Sequence, residues 1–119
     1  MIELNSKTQQ DFLNREWVQK LLDAGVDMSD AYYGIARDTT HGNRDKIFFI
    51  HMWGLEDTES FTNKIPTYTV SELLYKLRNR YGMYTIFNCY RNLDIDNVPI
   101  IESLASILLQ GYKKDTNNG

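Results

Sequence analysis

Residues 46–53 carry apolar bulk on both sides of any strand they form, with Phe48, Ile50 and Met52 on one face and Ile47, Phe49, His51 and Trp53 on the other. A sheet with one wet face needs no such run. Either helices cover both faces of this strand, or one face is the landing site of a partner. The chain has enough apolar material for the first solution: 119 residues, 42% hydrophobic and 13% aromatic, with two prolines. That length makes one domain, and burial at this size suffices without disulfides or metal. Residues 1–112 are read as that domain and 113–119 as a polar, frayed tail.

Elements on either side follow from periodicity. Phe12, Leu13, Trp17, Leu21 and Ala24 recur at three- and four-residue spacings, widened by Val18 and Leu22, which predicts a helix over 8–24 capped by Thr8 or Ser6 and ended by Gly25. Residues 31–37 are short and β-favouring. With the turn-rich 38–45 and the strand 46–53 they read as an antiparallel hairpin. Residues 54–66 read as a long polar connector.

Beyond Pro66, Thr69-Val70-Ser71-Glu72 has the form of a capping box, with Tyr68 placed to staple onto Leu73. Val70, Leu73, Leu74, Leu77 and Tyr81 then predict a helix over 70–81. Residues 83–91 alternate and read as a third strand, parallel to the second because a helix carries the chain back between them. Asn97 as cap, Pro99 in a first turn and the stripe Ile101, Leu104, Ala105, Leu108 and Tyr112 predict a last helix closing near Gly111. The expected fold class is α+β, a three-stranded sheet packed with three helices in the order α-β-β-α-β-α.

The run 21–27 leading into Ala31-Tyr32-Tyr33, and Pro66-Thr67 running into a helix, resemble a group of small α+β proteins encoded by bacterial phages and integrated mobile elements. The likeness spans roughly residues 12–112 and departs in the longer connector 54–65. It implies a bacterial cytoplasmic setting, during phage or prophage expression. It carries no catalytic residue with it.

Charge and motifs exclude more than they assign. Thirteen Lys and Arg against sixteen Asp and Glu leave a net charge of -3, which weakens the case for a chain built to coat nucleic acid or an acidic membrane. No run approaches the roughly 20 apolar residues that span a bilayer, and the first residues lack a basic segment followed by an apolar stretch, so a cytoplasmic protein is expected. The single cysteine, Cys89, makes no internal disulfide and reads as a buried, inert thiol.

Gly-rich phosphate loops and the Gly-x-Ser-x-Gly elbow are absent, so no nucleotide cofactor is implied. His41 and His51 sit at opposite ends of a closed hairpin, too far apart to share an ion. Asp94 and Asp96 are too few for a calcium loop and read as turn residues. No catalytic, metal or cofactor-binding residue is assigned.

Two surface clusters remain. Lys76, Arg78, Arg80 and Arg91, beside Tyr75, Tyr81 and Tyr90, can hold a phosphate backbone with stacked bases, or simply form a solvated helix face whose cations suit the dipole. Eight tyrosines, five phenylalanines and two tryptophans exceed what a small core readily hides. Tyr32, Tyr33, His51 and Trp53 are therefore the candidate interaction surface. The reading is a non-enzymatic protein-interaction or adaptor protein, paired with another protein or as a homodimer through a sheet edge or this aromatic face. A nucleic-acid-binding accessory role and a small enzyme are the alternatives.

Overall fold

A computed structural model of the chain describes residues 2–3, 11–40, 42, 44–50, 61–91 and 98–118. Among them the elements run β1 (Ile2–Glu3), α1 (Arg15–Asp23), β2 (Tyr33–Asp38), β3 (Arg44–Phe49), β4 (Phe61–Thr67), α2 (Val70–Tyr81), α3 (Met83–Arg91) and α4 (Ile100–Asn118). The fold is α+β. Strand order is β1-β3-β2-β4, with every pair antiparallel.

The hairpin of β2 and β3 pairs in full register from Tyr33↔Phe49 to Asp38↔Arg44. Asp38, at its end, is buried, accepts from the Thr40 amide at 3.0 Å and the Thr40 hydroxyl at 2.8 Å, and pairs with Lys46 at 2.8 Å. The double-faced reading of β3 holds for its adjacent Ile47 and Phe48, which point to opposite sides and are both buried. Ile47 faces the helices. Phe48 lies across Gly34, its cross-strand partner, where a Cβ would stand 2.6 Å from the ring.

Two expectations are corrected. Residues 83–91 form a helix, α3, so no parallel pair exists among the described strands. Met83 and Phe87, four residues apart, fit one face of a strand or of a helix, and a short apolar run fits both periods until its neighbours decide. The third long strand is β4, inside the span read as a connector. Pro66 is tolerated in it because β4 is an edge, where a missing amide leaves no ladder bond unmade. Asn63, at φ 53, and Lys64 together face Ala36, giving β4 a bulge.

Helix α1 starts later than its periodicity indicates. Asn14 caps it by accepting from the Trp17 amide, because Phe12 and Leu13 are engaged elsewhere: the Leu13 amide donates to the Tyr68 carbonyl at 3.0 Å and Phe12 bridges Thr69. Its end matches expectation, with Gly25 at φ +92 and the Gly25 and Val26 amides bonded back to Leu22 and Leu21. Arg15, its first residue, forks onto Asp45 of β3 at 2.9 Å and donates to the Asn63 carbonyl at the β4 bulge.

Helix α2 matches its predicted span, capping box included. Helix α4 does not stop near Gly111 but runs on through the residues read as a tail. Gly111 sits inside it, where a Cβ would collide with the Tyr81 hydroxyl at 1.7 Å, so this glycine makes room for α2. The core joins one sheet face, with Ile35 and Ile47, to Leu13, Val18 and Leu21, Leu73 and Leu77 of α2, and Ile101, Leu104 and Leu108 of α4. The Trp17 indole donates to Glu102 at 2.9 Å and ties α1 to α4.

Truncating Leu104 to alanine at the centre of this cluster is expected to cost roughly 2–5 kcal/mol, read as a lower urea midpoint at unchanged slope. Thr69→Ala, which removes the α2 cap, is expected to cost about 1 kcal/mol by the same measurement.

Candidate functional site

The passage from β4 into α2 organises a cleft on the surface. The Thr67 hydroxyl, buried, donates to the Leu13 carbonyl at 2.6 Å. Tyr68 turns its ring into the core and carries its hydroxyl across to the segment after α1, donating to Asp30 with the Asp27 carbonyl 3.3 Å away. Thr69 and Glu72 exchange the two capping-box bonds. The second oxygen of Glu72 accepts from the Tyr32 amide at 3.2 Å, which ties the start of the β2 region to the first turn of α2.

Between these segments opens a cleft of about 360 Å³ lined by Asp30, Tyr32, Tyr68, Ser71, Glu72 and Tyr75. Tyr32 and Tyr75 are 64% and 67% exposed, so both stand largely in solvent at its sides. At its back Lys76 donates to the Asp27 carbonyl at 2.6 Å, pairs with Asp30 at 3.3 Å and lies 5.4 Å from the Tyr68 ring centre. Burial, above all, and then the bond to Asp30 and the nearby carboxylate charges hold the Tyr68 hydroxyl well above the ordinary tyrosine range. The Ser29 amide and hydroxyl, helped by Lys76, hold Asp27 below the usual carboxylate range.

A second feature is the outer side of α3. Met83, Tyr84 and Phe87 are 50%, 81% and 66% exposed, while Ile86 of the same helix is buried. Positions 83, 84 and 87 share one side of a helix, so the three make a continuous apolar strip.

The structure separates the residues singled out from the sequence. Tyr33 belongs to the margin of the core, packed edge-on against Phe12 at 5.2 Å and tilted against Phe49 at 4.7 Å. Tyr32 lies apart from it, on the cleft. His51 and Trp53 fall outside the described residues, as do His41, Asp94, Asp96, Asn97 and the side chain of Cys89. Of the basic group, Lys76 is committed to Asp27 and Asp30, and Arg80 lies 3.8 Å over the Tyr112 ring. Arg78 and Arg91 are exposed. The cations are thus divided between one carboxylate with a backbone carbonyl, an aromatic stack and open solvent. Sequence reasoning named Tyr32 but missed its partners in the cleft. The spacing of Ser71, Glu72 and Tyr75 on one side of α2 was the available signal, and it says nothing of residues 30–32.

Among the described residues no group of three or more His, Cys, Asp or Glu is placed to hold a metal ion, and no helix is long and apolar enough to cross a membrane.

The raised Tyr68 ionisation has a definite sign. Its contribution to stability is fully present below the ordinary tyrosine value of about 10 and is lost as pH rises above it. Urea unfolding across that range is expected to show stability falling for the natural chain. Tyr68→Phe is expected to flatten this alkaline decline and to cost roughly 1–3 kcal/mol at neutral pH.

Compared with known proteins, the chain matches no family model, no curated protein and no solved structure.

Proposed function

We propose that this chain is a non-enzymatic protein-interaction module, an adaptor whose docking face is the outer side of α3, and that a second copy of itself packs there. The observation that carries this reading is the exposure of Met83, Tyr84 and Phe87 on one side of a nine-residue helix. Large aromatic side chains bury roughly 150–250 Å² each, so Tyr84 and Phe87 alone leave on the order of 300 Å² of mainly apolar surface in water, within the range of the largest patches on monomers. Two-fold pairing doubles that area. With a polar rim it reaches the low end of specific interfaces, which corresponds to micromolar rather than nanomolar association.

The sheet edges support α3 over strand pairing as the docking face. At one edge β4 carries Pro66 and a bulge at Asn63, and Phe12 and Leu13 bond beside its C-terminal end. At the other, β1 is two residues long. The resemblance of the sequence to small phage and mobile-element proteins suggests a bacterial cytoplasm as the setting.

Sedimentation velocity across the micromolar range tests the reading. The apparent mass is expected to rise from 13.9 kDa toward twice that value with concentration. Phe87→Asp and Tyr84→Asp are expected to hold it at the monomer while leaving the urea midpoint within about 0.5 kcal/mol of the parent, as exposed sites allow. A natural chain that stays monomeric throughout the range removes α3 self-association.

A further inference from the structure

We infer that the cleft between Tyr32 and Tyr75 binds an organic cation, and that its occupant is a lysine or arginine side chain of a partner protein. The protein already displays the chemistry once within itself. The Lys76 ammonium lies 5.4 Å from the Tyr68 ring centre, 3.3 Å from an Asp30 oxygen and 2.6 Å from the Asp27 carbonyl, an aromatic face combined with a carboxylate and a carbonyl. The cleft repeats the first two of these on its open side. Tyr32 and Tyr75 present largely exposed rings, Asp30 and Glu72 supply carboxylates, and the described residues that line it include no lysine or arginine.

Charge selects a cation over an anion. Asp30 and Glu72, which line the cleft, outnumber Lys76, the cation paired with Asp30, and leave negative charge in excess there. The first-turn amides of α2 would otherwise attract an anion, but Thr69 occupies the Glu72 amide and the Glu72 carboxylate sits beside that turn. Size and charge spacing select a single-headed ligand. A cleft of about 360 Å³ lies at the small end of ligand sites and matches one extended side chain with its aliphatic stem along the rings. Its carboxylates form one cluster, which suits one terminal charge rather than the several spaced charges of a polyamine.

The site is separate from α3, so its test does not depend on self-association. The probes are blocked tripeptides with a central lysine, arginine or norleucine, and spermidine. Each is titrated against the full chain while the ring signals of isotopically labelled tyrosines are followed. Saturable shifts of the Tyr32 and Tyr75 signals are expected with the lysine or arginine peptide and not with norleucine, weakening as salt is added. Tyr32→Leu and Tyr75→Leu are each expected to lower the affinity about two- to fivefold, the size of one exposed cation–aromatic contact. Glu72→Gln, which keeps a capping side chain but removes the charge, is expected to lower it as well. Equal binding of the norleucine peptide, or no saturable shift with either basic peptide, overturns the proposal. Binding of spermidine alone overturns the assignment of the occupant to a protein side chain.

Discussion

The strand-to-helix junction at residues 67–72 is the constraint on which the rest of the structure depends. Six consecutive residues join β4, α2, the chain before α1 and the chain after it through Thr67 to Leu13, Tyr68 to Asp30, Thr69 to Glu72 and Glu72 to Tyr32. Each bond satisfies a polar group at the edge of an apolar core, where an unpaired donor or acceptor costs free energy comparable to a lost hydrogen bond. Moving any one segment leaves a partner unsatisfied in the others. The cleft is a by-product of this closure: its walls are the segments that the junction draws together.

Sheet and helices are then locked by a few directional contacts over a nondirectional core. Arg15 fixes the start of α1 to both β3 and the bulge of β4, and Trp17 fixes its middle to α4. A charge-assisted fork of this kind sets orientation more than it adds stability. With α1, α2 and α4 on the core, α3 has only Ile86 buried among its described side chains, and Met83, Tyr84 and Phe87 are exposed. A nine-residue helix is too short to be stable alone, so α3 holds its shape through the helices it leans on while offering a face that they do not use.

Legibility followed how local each determinant is. Helix α2 was readable because Thr69 and Glu72 cap each other within one turn and Leu73 and Leu77 repeat the helical period. The hairpin of β2 and β3 was readable from two β-favouring runs around a turn-rich segment, and Gly25 from the need for a left-handed stop. Strand β4 was hidden by its polar composition, since Thr62, Asn63 and Lys64 are exposed on an edge, and α3 by an apolar run compatible with two periods. Gly111 looked like a stop because its purpose, space for the Tyr81 hydroxyl, lies on another helix. The aromatic excess was legible as a surplus, but its placement was not. Tyr32 and Tyr33 are adjacent in sequence and lie on the cleft and at the core margin respectively.

The amino-acid order by itself determined the α+β class, the double-sided β3, the capped α2 and a surplus of aromatic rings, because each rests on neighbours within a turn or a strand. Tertiary structure alone decided that residues 83–91 are helical, that β4 closes the sheet, and that Asp30, Tyr32, Glu72 and Tyr75 meet around one cleft. Those outcomes depend on contacts between separate elements, such as β4 against β2 and the Glu72 carboxylate receiving the Tyr32 amide. No local propensity encodes such a contact; it forms only when burial of the core brings the two segments together.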